Sequence, residues 1–159
     1  MGIFSRRKKS GDPVHPEPTE STFRELNDAE RAFVDDQLGT LAEMQVDIHN
    51  SSSIAAAYDR LHADWAAVPE ADRANPKHQI NLIGIALGEN LVQSTAMEWG
   101  IASDVFGVEI AVRDEKTDWQ TFPVNSVAKR WFDDEEGSFV DAFVTWIKSS
   151  ITESPAQSE

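Results

Sequence analysis

Apolar positions along this chain repeat first with a helical period, then with a period of two, then helically again, and the changes mark out its elements. From Asn27 the spacing is helical. Val34, Leu38, Leu41 and Ile48 fall on one face, Asn27 is placed to cap the start, and Glu30 completes a capping box. Gly39 weakens this helix by about 1 kcal/mol relative to alanine, and its end lies between Met44 and Asn50. After the polar run Asn50–Ser53, the residues Ile54, Tyr58, Leu61, Trp65 and Val68 form a second amphipathic stripe that Pro69 closes. A third helix opens with Asn75 as cap and Pro76 at the first helical position, where a missing N–H costs nothing. Ile80, Ile83, Leu87 and Leu91 share one face and Leu82, Ile85 and Ala86 widen it, so this helix is buried on more than one side. Gly84 and Gly88 leave a smooth strip on it for the close approach of another element.

The period then becomes two. Met97, Trp99 and Ile101 alternate with Glu98, Gly100 and Ala102, and Val108, Ile110 and Val112 with Glu109, Ala111 and Arg113. Between them Asp104-Val105-Phe106-Gly107 has the Asp-first, Gly-fourth signature of a type I turn, so the segment is a β-hairpin. A polar turn at Asp114–Asp118 leads to a third strand, Trp119–Val124, in which Pro123 implies an edge or an exit from the sheet. Asn125–Phe132 fits a short helix capped by Asn125. A closing helix after Ser138 carries Val140, Val144, Ile147 and Ile151 on one face. Three helices, a three-stranded antiparallel meander and a C-terminal helix make an α+β fold rather than a wound parallel sheet. One domain is expected over residues 23–151, between a basic, Pro-rich tail at 1–22 and a frayed end at 152–159.

Composition narrows the function. The net charge is −14, and four of the fourteen basic residues (Arg6, Arg7, Lys8 and Lys9) sit in the first nine positions. The remaining ten face 28 acidic residues, a balance of −18 that repels nucleic acid. Without cysteine there are no disulfides, thiolate metal sites or Cys nucleophiles, in keeping with a cytoplasmic protein. No stretch is apolar enough to cross a membrane, although Ile3, Phe4 and Arg6–Lys9 suit weak contact with an anionic surface. No Walker A, GxGxxG, GxSxG or HExxH motif is present, so neither a cofactor nor a catalytic residue is assigned. No metal site is expected from His15, His49, His62 and His78, which lack ligand spacing. The acidic run Asp133–Gly137 reads as a solvated loop.

Five residues remain as candidate contacts. Glu89, a carboxylate on an apolar helix, joins with Trp99, Lys129 and Arg130 either in a ligand cleft or in a structural ion pair. Lys129 and Arg130 also have Asp133 and Asp134 within helical reach. Phe106, a large apolar residue at the centre of a turn, either folds back on the core or contacts a partner.

Gly84-Ile85-Ala86-Leu87-Gly88-Glu89, Trp99, Asp104 with Gly107, and Phe122-Pro123 leading into Lys129-Arg130 follow one another in a distinctive order and spacing. In these pieces, from about Lys77 to Lys148, the chain resembles a bacterial family, a domain of unknown function (number thirty-eight-oh-six). The resemblance implies the fold and no activity. The expectation is therefore a non-enzymatic module that binds a protein partner through the sheet and hairpin surface. The competing expectation is a small-ligand protein or enzyme with a cleft at Glu89, Trp99, Lys129 and Arg130.

Overall fold

The computed structural model describes residues 22–153. Strand β1 (Thr22–Arg24) precedes three helices, α1 (Asp28–Glu43), α2 (Ser51–Ala66) and α3 (Lys77–Ser94). The strands β2 (Glu98–Asp104), β3 (Gly107–Asp114) and β4 (Trp119–Thr121) follow, then α4 (Pro123–Phe132) and α5 (Phe139–Glu153). The architecture is α+β, as the change of period implies. The sheet, however, has four antiparallel strands in the order β1-β2-β3-β4. The added strand begins at Thr22, one residue inside the stretch assigned to the tail. Readings of residues 1–21 lie outside the described residues.

Helix ends follow local chemistry. Asn27 Oδ1 accepts from Glu30 N at 2.8 Å and the Glu30 carboxylate accepts from Asn27 N at 2.9 Å, the capping box legible in the sequence. Asn50, the N-cap of α2, accepts from Ser52 N through Oδ1. Asn75 Oδ1 accepts from Lys77 N, but α3 starts at Lys77 with Pro76 as its N-cap, one residue later than the expected Asn75 cap and Pro76 first position. Helix α1 stops at Glu43, before Ile48. Gln45 takes φ 62°, with Val46 N–H donating to Leu41 O and Gln45 N–H to Ala42 O. That is a Schellman motif closed without glycine. Helix α4 begins at Pro123 rather than at an Asn125 cap, because proline's fixed φ suits the first turn; β4 accordingly ends at Thr121. It terminates by the same motif, with Asp134 at φ 56°.

Helix α3 is the axis of the molecule, touching α1, α2, α4, α5, β2 and β3. Its residues from Leu82 to Leu91 are all buried. The two glycines serve the predicted close approach. A Cβ on Gly84 would stand 2.6 Å from Val124 Cα on α4, and one on Gly88 2.2 Å from the Trp99 ring. On the sheet, Trp99 pairs with Val112 and Ile101 with Ile110, on the face that meets α3. The opposite face is not simply polar. Gly100, Ala102 and Ala111 are buried there, and the Phe23 ring lies 2.2 Å from where a Gly100 Cβ would be. Arg113 stacks its guanidinium on Phe23 at 4.3 Å.

The acidic stretch 133–137 is tied down rather than loose. Tyr58 Oη donates to Glu135 O at 2.9 Å, and Gly137 N–H donates to Asp59 Oδ1 at 2.7 Å. Burial, then the charges of Glu135, Asp59 and Asp134, push the Tyr58 hydroxyl up to about 12, so it stays a donor at physiological pH.

Arg24 and Glu30 join β1 to α1 by a bidentate pair at 2.8 Å on each arm. The side-chain hydrogen bond from Arg24, then the Asn27 backbone N–H, hold the Glu30 carboxyl down at about 2. A lowered folded value means that this contribution is complete above the ordinary carboxylate value of 4.5 and is lost as pH falls through about 2. The pair is solvent-exposed, so its effect is on the orientation of β1 more than on global stability. In an NMR titration the Glu30 carboxyl carbon should change only in strong acid, and Arg24→Gln should move that change toward the ordinary range. A wild-type midpoint near 4.5 would remove the clamp.

Candidate functional site

The hairpin turn is set by two residues. Asp104 Oδ1 accepts from Phe106 N at 2.7 Å, and Gly107 takes φ +138°, which side-chain-bearing residues rarely adopt. The register pairs Asp104 with Gly107, leaving Val105 and Phe106 as the tip. Phe106 does not return to the core: it is 93% exposed, with Val105 at 63% and Val108 at 67%. Val108 lies on the face that carries Trp99, yet past the cover of the helices. Three neighbouring large apolar side chains therefore stand in water where a hairpin normally carries polar ones.

Two grooves adjoin this tip and share Glu109 and Asn125. One, of about 430 Å³, runs from Ala102, Asp104 and Phe106 to Phe122. The other, of about 230 Å³, is walled by Ile110, Val124 and Ala128. Asp104 and Glu109 give the apolar surface a negative rim. Phe106 was legible in the sequence. The groove walls Phe122, Val124 and Ala128 were not, because α4 reaches β3 only through the tertiary fold. The signal that could have found Val105 is that it is a second apolar residue at the centre of the turn.

Glu89 and Trp99 lie together elsewhere. Trp99 Nε1 donates to Glu89 Oε1 at 2.8 Å, and Gln93 Nε2 donates to Glu89 Oε2 at 2.6 Å. Glu89 is buried, and with Trp99, Gln93, Val92, Leu26 and Glu25 it helps line a cleft of about 610 Å³. The expected ion pair of Glu89 with Lys129 or Arg130 does not form, since the carboxylate is taken by the indole and amide donors. Lys129 and Arg130 do not line this cleft. Lys129 is exposed on α4; Arg130 donates to Ser126 O at 3.3 Å, approaches Glu135 at 3.9 Å and stacks on Phe139. Asp134 pairs with His62 at 3.2 Å instead of with Arg130. His62 stacks on Tyr58 and meets the edge of Trp131, while His78 is exposed. Among the described residues no group of three His, Asp or Glu side chains is placed to hold a metal, and no helix is long and apolar enough to cross a membrane.

The Glu89–Trp99 bond yields a test. Glu89→Gln keeps an oxygen acceptor for the buried indole N–H, so its stability cost should be small. Glu89→Leu strands that donor and should cost about 1–3 kcal/mol in urea unfolding. Equal costs for the two variants would show that the hydrogen bond is not what holds Trp99.

These features define an α+β domain with a helix-wrapped antiparallel meander and an apolar hairpin tip. A family model described as a domain of unknown function (DUF3806) matches residues 60–143, more than half of the chain, and the chain belongs to that family. The match begins within α2, earlier than the resemblance seen from Lys77, and ends within α5 at Phe143. No curated protein and no solved structure matches the chain.

Proposed function

We propose that this domain is a non-enzymatic protein-binding module whose contact surface is the β2–β3 tip with the adjoining grooves beside α4. One observation carries the proposal: Phe106 is 93% exposed between two other exposed apolar side chains. An exposed aromatic beside a partly apolar groove has the composition of a binding hot spot. The rim carboxylates Asp104 and Glu109, on a chain of net charge −14, favour a partner segment that flanks an apolar anchor with Lys or Arg.

Selection of a displayed random-peptide library on the intact protein tests this. Enriched peptides should carry an apolar residue beside basic ones and bind Phe106→Ala at least about tenfold more weakly. Trp146→Ala, exposed on α5, should bind them normally. Phe106→Ala is on the surface and should shift stability by no more than about 0.5 kcal/mol. Trp146→Ala gives up an edge-on contact with Trp119 at 5.5 Å, worth about 0.5–1.5 kcal/mol, and leaves the tip untouched. An empty selection, or peptides indifferent to Phe106, would sink the proposal.

A second reading, a small-ligand site, is supported by the Glu89 carboxylate, which is buried beside the larger cleft with two neutral hydrogen-bond donors. A metabolite that copurifies with the wild type and is lost in a stable Glu89→Gln variant would put that reading first.

A further inference from the structure

We infer that the surface beside the tip takes its partner as an added β-strand, an extended segment alternating apolar residues with Lys or Arg that pairs with the free edge of β3 at Val108–Ile110. This rests on the tip and grooves being a protein-contact surface, and it adds the form and chemistry of what they hold.

The ladder dictates where the free edge lies. Asp104 and Gly107 close a two-residue turn and exchange the hydrogen bonds of a paired position. Bonded positions then alternate, so on β3 it is Gly107, Glu109, Ala111 and Arg113 that bond toward β2. The N–H and C=O groups of Val108, Ile110, Val112 and Asp114 point the other way. β4 meets the last two, with Thr121 opposite Val112 and Trp119 opposite Asp114. It cannot continue, because the residue due opposite Ile110 is Pro123, which lacks an N–H and opens α4. Among the described residues no strand covers the four backbone groups that Val108 and Ile110 turn outward.

The edge borders a slot rather than an open flank. Val124, Asn125 and Ala128 face Glu109 and Ile110 across the groove of about 230 Å³, and the groove of about 430 Å³ continues it past Val108 to Phe106. A strand added in the hydrogen-bonding direction would lie about 4.8 Å from β3, on the side that α4 flanks. The two faces of β3 then sort the side chains of the guest. Val108 and Ile110 share one face, with Val124 and Ala128 beside Ile110, whereas Asp104 and Glu109 share the other. A segment of alternating apolar and basic residues matches both faces at once, while its main chain satisfies the edge. A second copy does not match. Two β3 edges paired antiparallel about Glu109 would set Glu109 against Glu109 on chains of net charge −14, and like charges directly opposite destabilise a sheet.

A capped hexapeptide alternating lysine and valine, added to the intact ¹⁵N-labelled protein, is the probe. In the free protein the amides of Val108 and Ile110 should exchange with solvent faster than those of Glu109 and Ala111. At about ten times the Kd read from the chemical shifts, exchange at Val108 and Ile110 should slow by about tenfold. Methylating the peptide nitrogens of one alternate set of residues, those whose N–H groups face β3, should abolish binding. Methylating the other set should leave it unchanged. Glutamate in place of lysine should abolish binding as well. Amides of Val108 and Ile110 already protected in the free protein would show the edge to be covered, by the chain itself or by a second copy, and would overturn the inference. So would a hexapeptide that does not bind, equal tolerance of the two methylation patterns, or binding that leaves both amides exchanging freely. Library-selected peptides that need Phe106 yet tolerate both patterns would keep the tip as a contact surface and remove the added strand, so the two proposals can fail separately.

Discussion

Trp131→Ala is expected to remove about 3–5 kcal/mol of stability. Trp131 is fully buried near the end of α4. Its ring meets Tyr58 edge-on at 5.6 Å and His62 at 4.9 Å, and lies 5.6 Å from Trp65, all three on α2. Such aromatic pairs contribute about 0.5–1.5 kcal/mol beyond the area they bury. Truncation would empty the largest fully buried volume in the core and leave Tyr58 and His62 without their neighbour. One term opposes the loss. The Trp131 Nε1 finds no hydrogen-bond partner among the described residues, and a buried unpaired donor costs about 1–3 kcal/mol. Trp131→Phe removes that donor and keeps a ring, so its cost should fall well below that of alanine. Urea unfolding of both variants decides the matter. A loss under about 1 kcal/mol for Trp131→Ala would mean that α2 and α4 are not held together by this cluster.

Leu87→Ala should cost about 2–5 kcal/mol, and near the upper part of that range if the surroundings cannot relax. Leu87 has no solvent exposure, and α3 is enclosed by four helices and two strands. Its neighbour Gly88 already lies against the Trp99 ring, whose indole is bonded to Glu89. A side chain held at both ends is poorly placed to move into a new cavity. Unfolding that shifts by less than about 1 kcal/mol would show that α3 does not present Leu87 to the core.

Much of this architecture is legible in the amino-acid order because local chemistry determines it. Asn27 and Asn75 announce helix starts to within a residue, and Gly84 with Gly88 announces a close contact without naming Val124 or Trp99 as the other side. What escapes is governed by partners far along the chain. Thr22–Arg24 has no strand signature of its own length, and becomes a strand only because Ile101–Ser103 offers an unpaired edge. The ends of α1 and α4 escape because Gln45 and Asp134 adopt the left-handed conformation usually left to glycine. At the candidate site, Glu89 and Trp99 meet because they join across the end of α3 and the start of β2. Lys129 and Arg130 do not join them, because α4 packs Val124 against Gly84.

The register of β1 also bears on how quickly the chain reaches its folded state. β2 and β3 are joined by a two-residue turn, whereas Thr22–Arg24 must find Ile101–Ser103 across nearly half the sequence. Closing a loop of that length costs roughly 4 kcal/mol of chain entropy, against a gain of only three paired residues. β1 is therefore expected to dock after the rate-limiting step, when the hairpin edge already exists. Phe23→Leu should then leave the refolding arm of the chevron unchanged and steepen no slope, while raising the unfolding rate by the whole of its stability loss. A slower refolding rate would place β1 in the folding nucleus and make its pairing an early event.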